Sequence, residues 1–211
     1  MDSQTLSNQA VIFDAFGTLL KIHEGRHPYR RLIKAGMAQG RRPQADDARR
    51  IMTQPWGLRE TAQAFGIELS GALLGELEEL LAAEVASIEP FPDALEAVEL
   101  LQSAGLAVAV CSNLAMPYAP AIQRHFPTLE VSVLSFKVGA VKPDPDIYAA
   151  CCARLETPPG NVLMVGDSRL CDCVGPEAIG IRGHHLDRSN GQGDWQDLVQ
   201  FARQVLQGGA K

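Results

Sequence analysis

No stretch of this 211-residue chain approaches the roughly 18 consecutive apolar residues that a membrane-spanning helix needs, so a membrane protein is not expected. The opening residues Met1-Asp2-Ser3-Gln4-Thr5 are polar and acidic, which argues against a secretion signal and for a cytoplasmic location. Cysteines are few and odd in number, five. The neighbours Cys151 and Cys152 and the pair Cys171 and Cys173 lack histidines at metal-site spacing, so buried free thiols in a reducing compartment are expected. Aromatic residues make up only 6% of the chain, and among the basic residues of its first quarter only Tyr29 interleaves. With a formal net charge of −6, that excludes nucleic acid as the expected partner. Internal repeats and low-complexity segments are also missing.

What remains is an ordinary globular composition, 46% hydrophobic and 21% charged, long enough for a core with a small insertion. The charge is unevenly spread. Residues 21–50 hold nine Lys or Arg and three acids, a net of +6 on an acidic protein. Such a segment suits either a small anionic substrate or a solvated helical face.

Ala10 to Phe13 is an apolar run that reads as a buried strand, interrupted by Asp14 and turned by Gly17-Thr18. A carboxylate at that point is expensive to bury without a partner or a task. The carboxyl ends of strands in an open α/β sheet are where ligands bind. From 21 to 88 the pattern is helical only, with helices expected over 27–39, 46–52, 56–65 and 69–88. Alternation follows: strands over 106–111, 131–136, 162–165 and 181–186, and helices over 92–103, 118–125, 145–155, a short one ending at Gly180, and 195–206. Strands alternating with helices predict an α/β fold, a Rossmann-like parallel sheet with helices on both faces. The core is assigned to 1–20 and 89–211, and an all-helical insertion to 21–88.

Four strand-end features fall in order: Asp14, Ser112 with Asn113, Lys142 in Lys-Pro-Asp-Pro, and Gly166-Asp167-Ser168 with Asp172. On adjacent parallel strands they converge on one edge. A carboxylate nucleophile, a hydroxyl and an ammonium for an anionic group, and further carboxylates for a divalent metal make joint chemical sense.

In these motifs the chain resembles the haloacid dehalogenase-like hydrolase superfamily, with a helical cap inserted after the first strand. The resemblance covers about residues 10–187. It implies that Asp14 attacks the substrate and forms a covalent aspartyl intermediate, while Ser112, Asn113 and Lys142 bind the anionic group. Thr18 would position the first loop. Magnesium would be held by Asp14, the backbone carbonyl of Phe16 and Asp167, with Asp172 supporting it. The cap would exclude water and select the substrate. A monomer or homodimer acting on a small anionic substrate is expected.

Phe16 departs from the superfamily's phosphatases, which carry an Asp there as general acid and base, help typically worth about 10²–10⁴-fold. An aromatic residue at this place, and Tyr148, resemble the metal-free branch that hydrolyses 2-haloacids. That branch needs no acid, because halide leaves unprotonated. It also uses a cap arginine, for which Arg41 and Arg42 are the nearest counterparts. Asp167 resembles the phosphatases, since the dehalogenases carry a small polar residue there. The reading is therefore a magnesium-dependent hydrolase of a small phosphorylated metabolite. A 2-haloacid dehalogenase and a catalytically weak ligand-binding relative are the alternatives. His23, Glu24 and His27 are candidate acids from the cap or exposed residues, and His184 and His185 read as surface residues at a strand end.

Overall fold

The computed structural model describes residues 9–189 and 191–208. Five parallel strands form the central sheet in the order β5-β4-β1-β6-β7: β1 (Ala10–Phe13), β4 (Ala107–Ser112), β5 (Val131–Leu134), β6 (Val162–Gly166) and β7 (Arg182–His185). β1 is central and fully buried, which is why it reads as continuous apolar sequence rather than as an alternation. Its side chains still divide between the faces. Val11 and Phe13 join a core with α5 (Pro92–Ser103) and α10 (Leu198–Leu206), where Phe201 meets Phe13 edge to face at 6.2 Å. Ala10 and Ile12 face α8 (Pro145–Arg154) through Ile147, Tyr148 and Cys151. The remaining core helices are α6 (Ala119–His125), the one-turn α7 (Ser135–Val138) and the short α9 (Gly175–Glu177), which follows a π-helical turn at Arg169–Val174.

Four helices intervene between β1 and the next sheet strand: α1 (Pro28–Ala38), α2 (Asp47–Thr53), α3 (Leu58–Ala64) and α4 (Gly71–Ala86). They share a separate apolar cluster built on Leu32, Ile51, Leu58, Phe65, Leu74 and Leu77. Ser70 caps α4 by accepting from the Leu73 N–H at 3.2 Å, and Pro28 opens α1, where its missing N–H costs nothing.

Three expectations are corrected. The segment from Leu20 to Ile88 is not free of strand: β2 (Leu20–Ile22) pairs antiparallel with β3 (Ile88–Pro90), with Ile22 opposite Ile88. Each has three residues, too few for a two-residue period to register. The strand expected through Phe136 stops at Leu134, where the chain turns into α7. His184 is not a surface residue. It is buried, packed against Trp195 and Phe201, and its Nε2 finds no hydrogen-bond partner among the described residues. The five cysteines are unpaired thiols, four of them buried.

Candidate active site at the carboxyl edge of the sheet

Asp14 follows β1, and its N–H donates to the Val165 carbonyl at 3.0 Å, so strand pairing fixes its backbone. The next residues turn sharply. Leu19 and Leu20 N–H both donate to the Ala15 carbonyl at 2.8 Å, and Gly17 takes φ 90°, a conformation that favours glycine. Gly17 is required on a second count, because a Cβ there would lie 2.0 Å from Asp167 Oδ2. Gly166 at the end of β6 has a matching role: a Cβ would meet Asp172 Oδ2 at 2.2 Å and Asp14 Cβ at 2.8 Å. Two glycines thus let three carboxylates approach one another.

Asp14, Asp167 and Asp172 each place an oxygen within 4.8 Å of the others. Lys142 is the buried cation among them, with Nζ donating to Asp14 Oδ1 at 2.6 Å and Asp172 Oδ1 at 2.7 Å. Burial opposes the Lys142 charge, but Asp14 and Asp172 outweigh it and hold the ammonium well above its ordinary value. Asp14 is pushed up to about 6, chiefly by burial; Lys142 pulls it down, while Asp172 and Asp167 push it up. Asp167, on the open side, is also raised, by desolvation and by Asp172. One ammonium against three carboxylates leaves the cluster short of positive charge. An oxygen-only donor set of this kind fits a hard divalent cation such as magnesium.

Supporting contacts are specific. Asp172 Oδ2 accepts the Ser168 N–H at 2.9 Å, and Thr18 Oγ1 accepts the Asp167 N–H at 3.1 Å while its own hydroxyl lies 3.5 Å from Asp14 Oδ2. Asn113 grips the Lys142 backbone from both sides: Oδ1 accepts the Lys142 N–H at 2.7 Å, and Nδ2 donates to the Lys142 carbonyl at 2.9 Å. Its amide therefore holds the lysine loop. The cleft over this cluster, about 170 Å³, is also lined by Ser112, Phe16 and Cys171.

The structure brings together Asp14, Thr18, Ser112, Asn113, Lys142, Asp167 and Asp172, with Phe16 on the rim. It does not bring Arg41, Arg42 or Tyr148 to the cleft. Arg41 is bound to Asp47 through both guanidinium nitrogens, 2.8 and 2.5 Å, and lies over the Phe65 ring at 4.4 Å. Arg42 is exposed, and Tyr148 is wholly buried with its hydroxyl donating to the Cys171 carbonyl at 2.5 Å. His23 pairs with Glu89 at 2.7 Å, Glu24 with Arg26, and His27 is an exposed cap residue of α1. None of the three lines the cleft. The basic segment forms a separate cavity of about 550 Å³ on the insertion, lined by Arg26, Arg30, Arg31 and Lys34.

Sequence reasoning missed a second cleft. Phe16 and Asn113 are shared with a cavity of about 340 Å³ between insertion and core, walled by Ile22, Ile51, Met52, Leu114 and Tyr118. Beside it, Tyr118 donates to buried Glu84 at 2.5 Å, and Glu84 also accepts the N–H groups of Arg26 and His27, tying the entry to α1 onto the end of α4. These residues are far apart in sequence, and no local pattern marks them.

A parallel sheet that collects a carboxylate cluster, a lysine and a hydroxyl at the carboxyl ends of its central strands, beneath inserted helices, defines a class of α/β enzymes. Residues 9–180 match the family pattern of haloacid dehalogenase-like hydrolases, and the chain belongs to that family. It is similar to (S)-2-haloacid dehalogenase 4A from Burkholderia cepacia, 27% identical over 208 residues, covering 90% of this chain and 87% of the relative. In structure it is similar to a HAD phosphatase from Thermococcus onnurineus, with TM-score 0.66, 21% identity, and coverage of 95% and 98% of the two chains. It also resembles a HAD family enzyme from Bacteroides thetaiotaomicron in complex with magnesium and inorganic phosphate, with TM-score 0.61, 16% identity, and coverage of 87% and 96%. No helix among the described residues is long and apolar enough to cross a membrane.

Proposed function

We propose that this hydrolase cleaves phosphate monoesters through Asp14, with magnesium held by Asp14, Asp167 and the Phe16 carbonyl and supported by Asp172. The observation that carries this reading is the three carboxylates within 4.8 Å of one another, whose mutual repulsion the single Lys142 ammonium offsets only in part and a divalent cation would offset further. Magnesium, when bound, supplies Lewis-acid charge that offsets the developing negative charge on the phosphoryl oxygens. Asp14 is the nucleophile. Lys142 keeps it ionised despite burial and, with Ser112, grips the phosphoryl group. Asn113 fixes the lysine loop, and Thr18 steadies the turn that carries the nucleophile.

The test is hydrolysis of para-nitrophenyl phosphate with magnesium and with a chelator, in the wild type and in Asp14→Asn. Magnesium-dependent release that drops at least about 10³-fold in the variant, with the circular dichroism spectrum unchanged, is the expected result. Near-wild-type turnover in Asp14→Asn would remove Asp14 as the nucleophile.

A second reading, 2-haloacid dehalogenation, is favoured by Phe16 and by the likeness to the Burkholderia cepacia enzyme. Chloride release from 2-chloropropionate in the presence of chelator, with no phosphate release from any ester, would replace the first reading with this one.

A further inference from the structure

We infer that the substrate is an aryl phosphate, with its phosphoryl group over Asp14 and its aromatic ring in the apolar cleft walled by Ile22, Ile51, Met52, Leu114 and Tyr118. This deepens the phosphatase reading and rests on it.

Two independent observations converge. The first is the lining of the 340 Å³ cleft, which adjoins the cleft over Asp14, the two sharing Phe16 and Asn113 as wall residues. Its polar side chains are already committed. Tyr29 donates to the Trp56 carbonyl at 3.2 Å, Tyr118 donates to Glu84, and both ends of the Asn113 amide hold Lys142. A sugar or polyol entering this space would lose water from its hydroxyls and gain no partner, a penalty paid for every group left unmatched. A flat apolar ring loses nothing. The volume also suits one: a dry apolar cavity of about 150 Å³ accepts benzene, so this cleft has room for a substituted or fused ring.

The second observation is Phe16 itself. Phe16 lines the cleft over Asp14 and has no proton to give to a leaving alkoxide. An apolar ring in place of an acid favours a leaving group that departs as a stable anion. A phenol, with a pKa near 10 like that of tyrosine, does so far more readily than an aliphatic alcohol. The same side chain that removes the acid also forms the apolar rim, edge to face with Tyr118 at 6.1 Å.

The step balances without an added co-reactant. An Asp14 carboxylate oxygen bonds to phosphorus as the phosphorus–aryl oxygen bond breaks. The electron pair leaves on the phenolate, which takes a proton from water. Water then attacks phosphorus, releasing dihydrogen phosphate and restoring the Asp14 carboxylate.

The experiment compares three phosphates in the presence of magnesium: 2-naphthyl, para-nitrophenyl and acetyl. Acetyl phosphate has a good leaving group but no ring. The inference expects kcat/KM for both aryl esters to exceed that for acetyl phosphate by at least about tenfold. It also expects Met52→Asp to reduce the aryl-to-acetyl ratio, mainly through KM, and Met52→Leu to restore it. Met52 is only partly buried, so these variants should fold. Acetyl phosphate equal to the aryl esters, or a ratio unmoved by Met52→Asp, would overturn the inference while leaving the phosphatase reading standing. Binding of phenylphosphonate against methylphosphonate separates the other case. A preference for phenylphosphonate without turnover of any ester would uphold the aryl cleft and defeat the phosphatase reading; no preference and no turnover would defeat both.

Discussion

Phe16 lines the cleft over Asp14, and its ring meets Tyr118 edge to face at 6.1 Å. Phe16→Asp should raise the hydrolysis of alkyl phosphates by about 10-fold or more, with a smaller gain on para-nitrophenyl phosphate, because only poor leaving groups need the proton. An equal gain on both, measured as kcat, would mean that the new carboxylate acts elsewhere. The contribution of each position to the site was unevenly legible in the sequence. Asp14 and Asp167 stand out because polar residues at the ends of apolar strands are costly and few, and Lys142 because it sits in Lys-Pro-Asp-Pro just before a helix. Arg41 is near the expected place only along the chain, and its pairing with Asp47 depends on how α1 and α2 pack, which no local pattern encodes. Asn113 was legible as a site residue, yet its hydrogen bonds go to the Lys142 backbone 29 positions away.

The turn after β1 and the end of β6 act as one unit, since Gly17 exists to accommodate Asp167. Gly17→Ala forces a side chain into φ 90° and against that carboxylate. It should cost about 1–3 kcal/mol in urea unfolding and lower turnover more than tenfold by displacing Asp167; full activity with intact stability would refute this account of the turn. Helices α1 to α4 and the sheet strands were readable because each is long enough to show its period or is bounded by Gly and Pro. The β2–β3 ribbon was not, because its pairing partners lie on either side of the whole insertion.

The molecule's stability should carry a pH signature from His184, which burial holds below its ordinary value, with Asp194 raising it and Arg182 lowering it further. The unfolded histidine takes a proton near pH 6.5 and the folded one resists. The folded state therefore keeps its full contribution above that pH and loses it as pH falls through the depressed folded value. His184→Phe, which keeps the packing against Trp195 and Phe201, should flatten the urea midpoint between pH 7 and 5; an unchanged slope would exclude His184 as its source. The formal net charge of −6 likewise hides a basic stretch over residues 21–50 on an otherwise acidic chain, so salt should weaken capture of anionic substrates. The ribbon that joins the two parts has one more implication. The chain departs at Ile22 and returns at the facing Ile88. The gap that the insertion spans is already closed by paired backbone, so lengthening or shortening the insertion changes the loop entropy only logarithmically.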